Sequence, residues 1–254
     1  MKTATAASFE SDAARRRILS RRGEPLFLAR WDRVAFLHYE ADPDELQRCV
    51  PFPLDLHDGR AFVSLVAFTM RGMRPRLGGS LGKWLLAPIA THAFLNVRTY
   101  VRHNGEPGIY FLAEWLSSRL ATKLGPLTVG LPYRYGRTEY QHHHETRAVN
   151  GSVCATGGEL HYSLDLASPT FATCEPHSLD AFLLERYTAF TRRGARRRFF
   201  RVWHEPWAQT PAIAKLHRDD LIATTGSWFR SARCLSANYS PGVDVWMGRP
   251  HRTS

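Results

Sequence analysis

The 254-residue sequence is poor in lysine: the 34 basic residues include only Lys2, Lys83, Lys123 and Lys215, and the other 30 are arginine. A chain so short of amines has few candidates for imine chemistry. Cysteine is scarce as well. Cys49, Cys154, Cys174 and Cys234 are widely spaced, with no C-x-x-C pair, so neither a zinc knuckle nor a thioredoxin-like motif fits. Long apolar runs are lacking. The best are Phe62–Met70 and Trp84–Leu95, the second interrupted by Thr91 and His92, and both fall short of a bilayer crossing. Lys2 is followed by no apolar run, so a secretory signal is not expected. A cytoplasmic protein with reduced thiols and no metal or cofactor is the expectation. Without a secretory route, the sequons Asn150-Gly-Ser152 and Asn238-Tyr-Ser240 carry no meaning.

What is present is an ordinary globular composition, 44% hydrophobic and 22% charged, which argues against general disorder and collagen-like repeats. The net charge of +11 is concentrated. Arg15, Arg16, Arg17, Arg21 and Arg22 supply five positives, and Arg192, Arg193, Arg196, Arg197, Arg198 and Arg201 supply six, with no acid inside either segment. Removing those eleven leaves 23 bases against 23 acids, so the body of the chain is neutral. Basic patches attract nucleic acid or anionic lipid weakly and with strong salt dependence. The excess of arginine over lysine favours a compositional origin, and nucleic acid is not the expected partner.

Residues 1–24 read as a flexible basic arm, partly helical around Asp12–Ser20 and closed by Gly23 and Pro25. Trp31–Tyr39 has strand character. Asp42, Pro43 and Glu45 form a helix start with a capping box, and Pro51 and Pro53 stop that helix. Ala61–Met70 reads as a buried strand, and Phe94–Arg102 and Gly108–Ala113 as a hairpin. A short helix is expected at Trp115–Leu124. Strands are expected at Tyr133–His144, Ser152–Gly157, Glu159–Leu166 and Arg198–His204. Ser178–Phe190 reads as the clearest longer helix, capped by Ser178 with Leu179, Phe182, Leu183, Tyr187 and Phe190 on one face. The pattern predicts one mostly antiparallel β domain over 25–250 with a few short flanking helices.

The segments that look chemical differ in weight. Gly78-Gly-Ser-Leu-Gly-Lys83 fails the phosphate-loop pattern, because Leu77 and Trp84 stand where glycine and Ser/Thr are needed. Gln141-His-His-His-Glu145 puts His142 and His144 on one strand face, with no third ligand nominated, and is read as a solvated strand end. Asn96-Val-Arg-Thr-Tyr-Val101 says more. Alternation aligns Asn96, Arg98 and Tyr100, three large polar groups that would be costly inside unless they met partners or a ligand. An exposed sheet face is the competing interpretation. His38-Tyr-Glu40, Glu185-Arg-Tyr187 and His204-Glu-Pro-Trp207 are ambiguous between structure and function, and no Ser-His-Asp or Cys-His constellation can be assembled from spacing.

In order along the chain stand Trp31-Asp-Arg-Val-Ala-Phe-Leu-His-Tyr39, Phe94-Leu-Asn-Val-Arg-Thr-Tyr-Val101, Gly108-Ile-Tyr-Phe111, Gly130-Leu-Pro-Tyr133, Phe182-Leu-Leu-Glu-Arg-Tyr187 and His204-Glu-Pro-Trp207. Together they resemble the YqjF-like family of uncharacterised bacterial proteins over roughly 25–248, a family related to the acetoacetate decarboxylase-like superfamily. The resemblance implies a closed antiparallel β-barrel or cone around a pocket. It also implies a Schiff-base lysine after a Gly-x-Pro, beside a second lysine that lowers its pKa. Here the matching stretch is Gly130-Leu-Pro-Tyr-Arg134, so Tyr133 and Arg134 occupy the lysine positions. A phenol and a guanidinium cannot form an imine. Schiff-base decarboxylation is therefore not expected, and no residue is nominated as catalytic.

The reading that results is a barrel binding a small anionic or carbonyl-bearing metabolite. Arg98 and Arg134 would hold the anion, Tyr133 and Asn96 would orient it, and Tyr187 and Trp207 would line the apolar part. Tyr100 shares their face, and Glu114 or Tyr133 would act first in any acid–base step. The alternatives are an interaction protein using its Arg-rich segments on acidic partners, and a residual lyase using another lysine. Oligomeric state is not legible.

Overall fold

The computed structural model describes residues 6–128 and 130–253. It contains the helices α1 (Ala6–Leu19), α2 (Pro43–Arg48), α3 (Gly79–Leu86), α4 (Arg119–Thr128), α5 (Leu179–Leu184) and α6 (Asp220–Ala223). The strands are β1 (Phe27–Ala41), β2 (Ala61–Pro75), β3 (His92–His103), β4 (Glu106–Leu116), β5 (Tyr133–His143) and β6 (Ala148–Ala155). They continue with β7 (Gly158–Leu166), β8 (Thr188–Arg193), β9 (Arg196–His204), β10 (Thr210–Arg218), β11 (Arg233–Met247) and β12 (His251–Arg252).

All twelve strands form one sheet in the order β12-β9-β8-β4-β3-β2-β1-β11-β10-β7-β6-β5, and two further pairings, β9–β11 and β4–β5, curl it back on itself. The result is two cycles of strands that share β11, β1, β2, β3 and β4. Strands β8 and β9 complete one cycle, and β10, β7, β6 and β5 the other. The pairing is antiparallel, as expected, except that β4 runs parallel to β5 and to β8.

Sharing a wall between two cycles explains why its sequence looks so apolar. Val34 and Phe36, Val66 and Phe68, and Phe94 point into one core, beside Phe200 and Val202. Ala35 and Leu37, Val63 and Leu65, and Leu95 and Val97 point into the other, beside Val149, Val153 and Leu160. A strand buried on both faces has no need of polar alternation. Phe62–Met70 is such a strand.

Tertiary contacts override local expectation in several places. The segment expected as a flexible arm carries α1, whose Ala14 and Ile18 bury against Trp203 and Tyr187. Trp203 and Trp246, paired on neighbouring strands, would otherwise present an apolar face to water, and Trp203 Nε1 donates to the Ser11 carbonyl at 3.0 Å. The helix expected over Ser178–Phe190 ends at Leu184. Its Ser178 cap forms, accepting from the Ala181 amide. Past Leu184, Glu185 leaves the helix to accept from the Trp207 amide at 2.9 Å and the Tyr187 hydroxyl at 2.5 Å, and 188–193 joins the sheet. Trp115 and Leu116 close β4, and the next helix begins three residues later, where the Ser118 hydroxyl accepts from the Ala121 amide. In α2, Asp42 caps as expected, but Glu45 accepts from Ser231 at 2.8 Å and does not complete a capping box. The Arg-rich stretch 192–201 is a hairpin, β8–β9.

Candidate functional site

The alternating positions Asn96, Arg98 and Tyr100 of β3 are all buried, as are His38 on β1, Ser64 on β2 and Asn238 on β11. They face the same interior as Phe36, Phe94 and Trp207. Glu114 joins them through a backbone irregularity. On β3–β4, Val97 pairs with Ala113 while Arg98 pairs with Phe111, so Leu112 is an extra residue. A bulge changes the parity of everything beyond it. Phe111 and Leu116 therefore line the same core, and Glu114 stands directly opposite Asn96.

Arg98 is the central feature. The residue is 4% exposed, and among the described residues its one side-chain hydrogen bond runs from Nη2 to the Leu183 carbonyl at 3.1 Å. The guanidinium lies 6.0 Å from the Phe36 ring. Among the described residues no carboxylate forms an ion pair with it, and its Nε has no partner. The same interior holds other buried polar atoms without a partner among the described residues: Asn96 Oδ1, Glu114 Oε2 and Trp207 Nε1. Burial raises the Glu114 carboxyl well above the usual carboxylate range, which favours its protonated form. Asn96 and Arg98, two residues apart, lie ~7 Å from one another along the strand.

The neighbouring histidines are neutral for a related reason. Burial first, and the positive charge of Arg98 second, push His38 down to about 3. His204 is lowered to about 4, mainly by burial and again in part by Arg98. His38 Nε2 lies 3.1 Å from Asn238 Oδ1 and Nδ1 lies 2.6 Å from the Ser64 hydroxyl, which is 2.5 Å from the Tyr100 hydroxyl. A neutral imidazole that donates to Asn238 must accept from Ser64. The single Tyr100 proton then serves either Ser64 or the Leu183 carbonyl, 2.9 Å away. This Ser–His–Asn chain is fully engaged within itself and with Tyr100. It braces the wall behind Arg98 and fixes the position of α5.

Tyr133 pairs with Glu114 across β4–β5, and its ring packs edge-on to Phe94 at 6.0 Å. Burial, and then the proximity of Glu114, raise its phenol well above the usual range. Trp207 reaches the group through Phe36, 5.1 Å away in a T-shaped arrangement. Asn96, Arg98, Tyr100, Glu114, Tyr133 and Trp207 therefore share one interior. Two expected members do not. Arg134, the next residue on β5, points the other way; it is exposed and its guanidinium lies 5.5 Å from the Trp115 ring. The idea that Arg98 and Arg134 hold one anion together is corrected by this strand alternation. Tyr187 lies across α5, bonded to Glu185 and stacked on His204 at 4.7 Å, where it lines a cleft of about 430 Å³ between α1 and α5.

Three residues of this interior were not singled out from sequence: Ser64, Asn238 and His92, whose ring packs on Phe94 at 4.6 Å. Ser64 interrupts the apolar run Phe62–Met70, whose one other polar residue is Thr69, and that interruption is the signal that would have found it. Lys83, Lys123 and Lys215 are exposed, and none of them lines this interior. His142 is no solvated strand end. It is buried, with Nδ1 2.6 Å from the Arg33 carbonyl and Nε2 2.8 Å from the Tyr162 hydroxyl. Cys154, Glu159 and His161 cluster on the β6–β7 hairpin, where Arg218 already neutralises Glu159 at 2.8 Å.

Residues 28–244 match the family model DUF2071, described as an uncharacterized conserved protein. The chain belongs to this family. The uncharacterized protein YqjF of Bacillus subtilis (strain 168) is 30% identical over 195 residues, 73% of this chain and 76% of YqjF. The fold resembles that of acetoacetate decarboxylase from Legionella pneumophila, with a TM-score of 0.61, 12% identity and coverage of 89% of this chain and 87% of that one. It also resembles the enduracididine biosynthesis enzyme MppR complexed with pyruvate, with a TM-score of 0.60, 14% identity and coverage of 92% and 93%. The DUF2071 chain thus has an acetoacetate decarboxylase-like fold, mostly β with short helices, and no helix among its described residues is long and apolar enough to cross a membrane.

Proposed function

We propose that this DUF2071 protein binds a small anionic or carbonyl-bearing organic metabolite beside Arg98 and does not act as a Schiff-base decarboxylase. The observation that carries the reading is the buried guanidinium of Arg98 without a carboxylate partner among the described residues. Desolvating a cation costs several kcal/mol unless an anion offsets it. A carboxylate ligand would supply that charge and accept from the free Nε, in the geometry guanidinium groups favour. The neutral Glu114 carboxyl would donate to a second ligand oxygen, and Asn96 Oδ1 would accept from a hydroxyl. Trp207 and Phe36 would cover the apolar part. That an enzyme of similar fold holds pyruvate supports a ligand of this size. Tyr133 in place of an amine, and the exposure of Lys83, Lys123 and Lys215, support binding without an imine; Lys2 lies outside the described residues.

Thermal-shift screening of small carboxylates and 2-oxo acids tests the reading. At least one should stabilise the wild type, Arg98→Met should abolish the response and Arg134→Ala should keep it. If no acid stabilises the wild type, or Arg98→Met responds equally, the reading fails. Borohydride treatment with pyruvate should leave the mass unchanged; a trapped adduct would replace binding with lysine chemistry. One observation favours the second reading, contact with acidic partners: Arg15, Arg16 and Arg17 are exposed along α1, and Arg192, Arg196 and Arg197 on the β8–β9 hairpin.

A further inference from the structure

We propose that α3 and the segment leading into it form a docking surface for an anionic lipid layer. The helix carries Leu81, Trp84 and Leu85, which are 67%, 73% and 61% exposed, and Leu77 just before it is 70% exposed. No other short segment of the described residues sends so many large apolar side chains into water. The orientation is built in. Gly82 faces Pro75, where a Cβ would come within 2.6 Å of the proline ring, so this glycine lets the helix lie close against the end of β2. Trp84, two residues on and ~200° round the helix, is turned directly away from the protein. Scattered exposed leucines are ordinary; three large apolar residues on one short helix, with a fourth just before it, are the mark of an interaction site.

Charge identifies the occupant. The sequence contains no Asp or Glu from 59 to 105, nor from 115 to 138. Lys83 lies within α3, Arg74 precedes it, and Arg119 opens α4, which packs against the 87–89 turn that follows α3. All three are exposed, and none has a carboxylate partner among the described residues. A second copy docking about a two-fold axis would set this cationic patch against itself, which like-charge repulsion disfavours. A polyphosphate chain would answer the cations but leave Leu77, Leu81 and Leu85 in water. An anionic lipid layer meets both needs. Its headgroups pair with Lys and Arg, its acyl boundary accepts leucine, and tryptophan is suited to the interface between them. A helix of eight residues inserts shallowly, so attachment is reversible and rests on the apolar tip and the basic rim together.

Co-sedimentation of the full chain with vesicles tests this, comparing phosphatidylcholine alone with equal parts phosphatidylcholine and phosphatidylglycerol at low and high salt. The protein should partition onto the anionic vesicles at low salt, at least about tenfold more than onto neutral ones, and release at high salt. Trp84→Ser with Leu85→Ser should lower partitioning about tenfold or more. Arg74→Glu with Lys83→Glu should do the same, since each lost cation near the surface is worth about fivefold. All four positions are exposed, so unchanged thermal midpoints will confirm that the variants are folded. Equal binding to both vesicle types overturns the proposal. So does undiminished anionic binding by either variant, which would transfer the contact to the α1 or β8–β9 arginines. Sedimentation velocity showing that Trp84→Ser with Leu85→Ser dissociates an oligomer, without loss of vesicle binding, also overturns it and assigns the face to self-association.

Discussion

Arg98→Met should make the ligand-free protein more stable. The wild-type guanidinium is almost completely removed from water. That desolvation costs several kcal/mol in real proteins. Set against it are one charge-assisted bond to the Leu183 carbonyl, worth about 1.5–3 kcal/mol, and a distant cation–π contact with Phe36, worth about 0.5–1 kcal/mol. The Leu183 carbonyl does not lose its last partner, because the Tyr100 hydroxyl lies 2.9 Å away. Methionine keeps most of the volume, so no large cavity opens. The net expectation is a gain of about 1–3 kcal/mol in denaturant unfolding, or a thermal midpoint higher by ~3–10 °C for a chain of this size. The same substitution should raise the pKa of His38 and His204, since Arg98 is among the causes that depress both, and histidine NMR titration reads this directly. A loss of more than about 2 kcal/mol would refute the reasoning. It would mean that Arg98 already has its counter-charge and is a structural residue, with no anion left to bind.

Glu114→Gln tests the neutral carboxyl. A carboxyl whose folded pKa is raised gives its full contribution below the unfolded value near 4.5 and loses it as pH rises toward the folded value. The margin by which Glu114→Gln exceeds the wild type in thermal midpoint should therefore widen from pH 5 to pH 8; a margin that shrinks or reverses would show Glu114 ionised and paired. Ile18→Asp should destabilise the protein by about 3 kcal/mol or more, because Ile18 is wholly buried against Trp203 in the α1 contact. Wild-type stability in that variant would return 1–24 to the status of a free arm.

The β-rich architecture was legible in the sequence because period-2 patterning and turn residues act locally, and Asn96, Arg98 and Tyr100 were found because strand alternation is geometric. What the sequence leaves open is which face of an alternating strand is inside. In a wall buried on both sides, either face can be interior, so the polar row on β3 fits an exposed sheet as well as a lined pocket until β8 and β9 are known to cover it. Parity failed to separate Tyr133 from Arg134 for a different reason: a motif match carries adjacent residues together, whereas a strand sends them to opposite sides. Glu114 illustrates the converse. Counting alternately from Phe111 along β4 would send Glu114 into the other core, and only the extra residue Leu112 returns it to the side of Arg98. No propensity scale marks that bulge, because it is set by register against β3. The long helix expected at 178–190 was lost for a similar cause. Its apolar spacing is real, but the Glu185 carboxylate is held by an amide 22 residues away and Arg186 by Asp55, 131 residues away. A buried ion pair and a captured carboxylate outweigh the few tenths of a kcal/mol per residue that separate helix from strand. The features that define the candidate site, the bulge, the truncated α5 and the unpaired Arg98, are thus all products of long-range pairing. This is also why substitutions at Leu112 or Asp55, far from any motif, should disturb the site as much as changes to the residues that line it.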